Sequence, residues 1–160
     1  MSIKTPLEVS RAVEQGRKCL ADLHEFWKLL APTIRIMVVD DEKTFCDYLM
    51  EVLKHIFAGR KYELMTAFSG EQALALMENQ KVDLLFLDLR MPKAQGDGVS
   101  VLERMDKNQT VVLIVTGIEG ESPEIIRARE LGYVNIISKT DLYSDLCIIF
   151  GKGERQCHGC

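Results

Sequence analysis

The chain has 160 residues, 47% of them hydrophobic and 28% charged, with a formal net charge of −4. That balance suits one folded domain with a modest extension and excludes wholesale disorder. It offers no general attraction to nucleic acid or anionic membrane, no apolar run long enough to cross a bilayer, and no leader-like stretch, since Lys4, Pro6 and Glu8 interrupt the first residues.

Residues 1–32 read as an N-terminal amphipathic helix. Val9, Val13, Gly16, Leu20, Leu23, Trp27 and Leu30 alternate four and three apart, a heptad seam that Ala12, Cys19 and Phe26 widen. A helix of this length is marginal alone in water, so the face must be covered, and homodimerisation through it is the expectation. His24 on this segment reads as an exposed histidine.

From Thr33 the pattern becomes alternating strands and helices. Ile34 to Val39 is a β-branched strand that runs into Asp40-Asp41. Lys43 to Phe57 has helical periodicity (Phe45, Leu49, Val52, Leu53, Ile56), closed by Gly59. Tyr62 to Phe68 is a second strand, and Ser69-Gly70-Glu71 opens a helix through Met77 with Ala73, Leu74 and Met77 inward. Leu84 to Leu87 is a short apolar run, the mark of a strand buried on both faces, and it runs into Asp88. Taken alone, Asp88 reads first as the cap of a turn. A helix follows from Val99 to Met105, then a buried strand from Val111 to Thr116. Ser122-Pro123 supplies an N-cap followed by proline at the first helical position, and that helix runs to Leu131 before Gly132. Asn135 to Ser138 is a fifth strand ending at Lys139, and a helix from Asp141 to about Phe150 closes the unit. The alternation implies a parallel sheet with helices on both faces, spanning 33–150. Residues 151–160 read as a polar tail, in which adjacent Cys157 and His158 cannot easily serve one ion together. The five cysteines are odd in number, and without a secretory leader they read as reduced thiols, which places the chain in the cytoplasm.

Strand ends of a parallel sheet share one edge, so Asp40, Asp41, Asp88, Thr116 and Lys139 converge on one crevice. Three carboxylates there repel one another, and at least one should have its pKa raised. A hard divalent cation such as Mg²⁺ would relieve them. Cation, ammonium and hydroxyl together suit a phosphoryl group, with Asp88 placed as nucleophile.

With these markers in order (Val38-Val39-Asp40-Asp41, Leu87-Asp88-Leu89-Arg90-Met91-Pro92, Val115-Thr116-Gly117, Ser138-Lys139) the chain resembles the receiver domain of two-component response regulators, over roughly Thr33 to Phe150. The resemblance implies a doubly wound, flavodoxin-like five-stranded sheet of order 2-1-3-4-5, here with the added N-terminal helix. It implies that Asp88 is the phosphoacceptor and that Asp41 binds Mg²⁺ directly and Asp40 through water. The backbone carbonyl of Arg90 supplies a further ligand, Thr116 and Lys139 hold the phosphoryl oxygens, and Gly117 leaves room for the group to enter. Two positions depart from the family pattern. Ile136, three before the lysine, stands where an aromatic switch residue is usual. Thr140, just after the lysine, stands where proline, often cis, is usual. The expected function is a stand-alone regulator, not an enzyme, phosphorylated by a histidine kinase or phosphotransfer protein, which then switches partner binding. The alternative is a phosphorylation-independent adaptor or dimerisation module on the same fold.

Overall fold

The computed structural model describes residues 33–118 and 120–150. The expected N-terminal helix and the Cys/His tail lie outside the described residues. Within them, strands and helices alternate: β1 (Ile34–Val39), α1 (Lys43–Ile56), β2 (Tyr62–Ala67), α2 (Gly70–Asn79), β3 (Leu84–Leu87), α3 (Gly98–Arg104), β4 (Val111–Thr116), α4 (Pro123–Glu130), β5 (Ile136–Ser138) and α5 (Leu142–Ile149). All strand pairings are parallel and the sheet order is β2-β1-β3-β4-β5, as the resemblance implies.

Side-chain alternation divides the core in two. Ile34, Ile36 and Val38 of β1, with Leu84 and Phe86 of β3, face α1 and α5. Met37 and Val39, with Leu85 and Leu87, face α2, α3 and α4. A strand with helices on both faces must be apolar at every position, which is why β3 and β4 read as unbroken runs.

The helix ends follow local chemistry. Ser122 accepts a hydrogen bond from the Ile125 N–H, and Pro123 takes the first helical position, where no N–H is needed. Gly59 and Gly132 take positive φ just past their helices. Asp97 caps α3 through the Ser100 N–H.

Several elements stop a residue or so short of, or beyond, their expected ends. β2 ends at Ala67 because the Phe68 N–H is taken by the Gln72 side-chain oxygen, while the Gln72 backbone N–H bonds Ser69 Oγ. That reciprocal pair starts α2, which then continues to Asn79, past the expected Met77. On α1 the side chain buried in the first turn is Cys46, while Phe45, expected inward, is only half-buried. Met77 is likewise half-buried.

The carboxyl edge of the sheet

The parallel register decides which residues leave the sheet together. Val39 pairs with Leu87, so Asp40 and Asp88 follow side by side. The ladder extends one rung past the strands: the Asp88 N–H bonds Val39 O at 2.9 Å, and the Lys139 N–H bonds Thr116 O at 3.0 Å. Alternation then sorts the side chains. Asp40, Asp88 and Lys139 continue the series facing α1, whereas Thr116 continues the series facing α2, α3 and α4.

Lys139 accordingly sits between two carboxylates. Its Nζ lies 2.6 Å from Asp40 Oδ2 and 3.4 Å from Asp88 Oδ2. A third contact is aromatic: Nζ lies 4.3 Å from the centre of the Phe45 ring. Asp40 is 1% exposed, and its other oxygen accepts the Glu42 N–H at 2.8 Å. Asp41 is exposed. Asp88 is 6% exposed, and its Oδ1 accepts the Arg90 N–H at 3.4 Å. The turn-capping role that Asp88 suggests on its own is therefore present, but the bond is long, and it leaves the residue's other oxygen to Lys139. Oxygens of Asp40, Asp41 and Asp88 all lie within 4.8 Å of one another. All three donors are carboxylate oxygens, the set that suits a hard divalent cation such as Mg²⁺, so the residues fit the expected metal.

The electrostatics follow from burial. Asp88 is pushed up to about 6, first by loss of water and second by the Asp40 charge, against the pull of Lys139 and the Arg90 N–H. The clustered carboxylates of the sequence point to repulsion as the cause; burial is the larger one. For Lys139, burial alone would lower the pKa, but the Asp40 hydrogen bond and the two carboxylate charges prevail and raise it. Cys46 donates to the Asp40 backbone oxygen at 3.4 Å, and burial followed by the Asp40 charge pushes its thiol up to about 11, which makes it unreactive.

The neighbouring backbone is built to close tolerance at one point that the sequence reading passes over. A Cβ on Gly98 would fall 2.2 Å from the Asp88 carbonyl oxygen. The Gly98 N–H also bonds Leu89 O at 3.1 Å. Only a glycine lets α3 start against the turn that carries Asp88. The one signal in the sequence is a glycine just after the Asp97 cap. Gly117 is different. Beyond its chain neighbours, a Cβ there would meet Lys139 Cδ alone, at 3.9 Å, an ordinary contact, so packing does not demand a glycine.

Thr116 is buried, and its hydroxyl accepts the Ile118 N–H at 3.2 Å, toward the loop ahead of α4. Ile136 is half-buried on the α2–α4 side of the sheet. No peptide bond among the described residues is cis, and after Lys139 the Thr140 N–H is held by Ser138 Oγ at 3.1 Å. The backbone thus turns there without the proline. Arg127 pairs with Glu103 and Glu130, and Arg129 with Glu121, on the exposed face of α4.

A cleft of about 280 Å³ opens at the opposite edge of the sheet, floored by Leu74, Val82 and Met105 and rimmed by charges of both signs. It does not touch the carboxylate cluster.

Residues 36–147 match the family model described as the response regulator receiver domain. The chain is 31% identical over 105 residues to the alkaline phosphatase synthesis transcriptional regulatory protein PhoP of Bacillus subtilis, covering 66% of this chain and 42% of that protein. It is 30% identical over 111 residues to a probable chemotaxis protein CheY of Rhizobium etli, covering 69% of this chain and 84% of the relative. Among solved structures, a chain from the complex of the P1 domain of CheA3 with CheY6 from R. sphaeroides superposes with a TM-score of 0.56 at 25% identity, covering 76% of this chain and 99% of that one. The chain therefore spans about two fifths of PhoP but most of CheY. No helix among the described residues is long and apolar enough to cross a membrane.

Proposed function

The chain belongs to the response regulator receiver domain family, and from that premise we infer that it is a phosphoacceptor switch. Asp88 takes a phosphoryl group from a histidine kinase or a histidine phosphotransfer protein, and the altered surface changes which protein the domain binds. The observation that carries this reading is the meeting of three carboxylates with one ammonium that already touches two of them.

In the transfer, an Asp88 oxygen attacks phosphorus, the P–N bond of the phosphohistidine breaks, and its electron pair leaves with the imidazole. The product is an acyl phosphate on Asp88. Lys139 is placed to shift one contact from the Asp88 carboxylate to a phosphoryl oxygen, and the Thr116 hydroxyl offers a hydrogen bond to another. Asp40, Asp41, Asp88 and the backbone carbonyl of Arg90 would hold Mg²⁺, which supplies neutralisation of the phosphoryl charge. The catalytic work is positioning and charge balance, which suits a phosphoacceptor better than an enzyme acting on other molecules.

A neighbour's crystal structure pairs CheY6 with the P1 domain of CheA3, which supports a protein donor here. The thiol of Cys46, which forms no disulfide, suits the reducing cytoplasm. The acidic balance supports readout through a protein partner and not through nucleic acid. The heptad pattern in residues 1–32 supports a homodimer through that segment. Incubation with acetyl phosphate, with and without Mg²⁺, followed by intact-mass measurement, tests the central claim. One added phosphoryl group that needs Mg²⁺ is expected; an unmodified chain in both conditions would refute it.

A further inference from the structure

We propose that Phe45 is a positioning residue for Lys139: its ring holds the ammonium at the carboxyl edge while the two carboxylates beside it change partners. This rests on the phosphoacceptor reading of Asp88. Among the described residues the ammonium lies against Asp40 Oδ2 at 2.6 Å, Asp88 Oδ2 at 3.4 Å and the Phe45 ring centre at 4.3 Å. In the proposed reaction the first two are reassigned. Asp40 turns part of its charge to the cation, and Asp88 becomes an ester-like acyl phosphate with less charge on its oxygens. The ring takes part in neither change, so its attraction for the ammonium is constant through the cycle.

A lysine needs such a hold. Its four-carbon stem carries many rotamers, and fixing them costs free energy at the moment of reaction unless the folded state has already chosen one. Phe45 is placed to choose. It stands in the first turn of α1, on the side of the sheet to which alternation also sends Asp40, Asp88 and Lys139. Its ring is only half-buried, which core packing alone does not require of a phenylalanine whose neighbour Cys46 takes the fully buried position. The residue is displaced toward the rim, where the ammonium is.

Three variants test this in the full chain. Phe45→Leu keeps an apolar side chain and removes the π face, while Phe45→Tyr and Phe45→Trp keep the face. In the metal-free wild type, the Lys139 Cε protons should be shifted upfield by the ring current, and the shift should vanish in Phe45→Leu and survive in Phe45→Tyr. Phosphorylation by acetyl phosphate should be roughly fivefold slower in Phe45→Leu. Phe45→Tyr and Phe45→Trp should restore the rate, and Mg²⁺ affinity should be unchanged throughout. A loss that the aromatic variants fail to restore, or one matched by weaker Mg²⁺ binding, would show an ordinary packing role and overturn the inference. So would wild-type Lys139 protons at random-coil positions. A wild type that takes up no phosphoryl group would instead overturn the reading of Asp88, and the ring-current measurement would still decide the placement of Lys139.

Discussion

The two ends of β3 each carry a buried aspartate, and they are in opposite conditions. Asp83, before the strand, is 5% exposed; the Arg35 N–H donates to one oxygen at 2.8 Å and Lys81 Nζ lies 3.3 Å from the other. Asp88, after the strand, is equally buried but shares one lysine with Asp40 and has a single long backbone hydrogen bond. The same contrast recurs on β4. The Thr110 hydroxyl donates to Val82 O at 2.8 Å and ties the amino edge together, whereas Thr116 receives the Ile118 N–H and borders a loop. Asp83 and Thr110 have partners of their own, whereas Asp40 and Asp88 share one lysine. A group short of partners destabilises the resting fold and gains most from a ligand, which is why the amino edge reads as structure and the carboxyl edge as site.

The largest expected difference is chemical. Asp88→Asn should abolish modification by acetyl phosphate, while Asp83→Asn should leave it intact; equal labelling of the Asp88 variant in intact-mass spectra would end the assignment. The next is thermodynamic and opposite in sign at the two ends. Asp83→Ala should cost about 2 kcal/mol, because it strands the Arg35 N–H. Asp88→Asn should stabilise the metal-free fold. The carboxyl's folded pKa of about 6 lies above its ordinary 3.8, so the fold favours the protonated form. Its stabilising contribution is complete below the unfolded pKa and is lost as pH rises through 6, a loss of about 3 kcal/mol. The gain from Asp88→Asn should therefore appear above pH 6 and vanish below about pH 4. Urea melts at both pH values measure it, and a gain independent of pH would contradict burial of the charged carboxylate as its cause.

Mg²⁺ should raise the melting temperature of the wild type by binding the folded carboxylate cluster, worth about 1.4 kcal/mol at ten times Kd. Asp41→Ala should blunt the response and Asp83→Ala should not. A Tm indifferent to millimolar Mg²⁺ would remove the metal site. The smallest effects compare the threonines. Thr110→Val should cost about 1 kcal/mol and leave signalling alone. Thr116→Ala should barely alter stability yet uncouple the loop ahead of α4 from beryllofluoride binding, read as reduced backbone amide shifts. Undiminished shifts would place the readout elsewhere.

What can be read from the sequence, and what cannot, divides along the same line. The spans of β1 and β4, the Ser122 cap and the five residues of the carboxyl edge come from local pattern and spacing. Asp83 gives no signal, because its partner is the N–H of Arg35, 48 residues earlier and meaningful only once β1 and β3 are paired. Periodicity finds Leu49, Val52, Leu53 and Ile56 on the buried face of α1 but puts Phe45 where Cys46 is the buried side chain, since it ranks Phe45 above Cys46 by size and carries no knowledge of an ammonium arriving from β5. Gly98 looks like an ordinary glycine; the carbonyl that demands it belongs to the preceding loop. Repulsion among carboxylates is visible in a string of letters, but how deeply each is buried is not, and burial is the larger influence on Asp88.

The lysine that joins the pocket leaves the fifth strand, whereas Asp40 leaves the first. Synthesis on the ribosome delivers these parts in sequence order. A nascent chain that has exposed β1, α1 and β3 holds two adjacent carboxylates and no ammonium, and it lacks the strand whose backbone fixes Lys139 beside Thr116. The pocket cannot assemble before the last strand has emerged and α5 has closed over it. On the phosphoacceptor reading of Asp88, only a finished domain offers a phosphate donor the complete pocket.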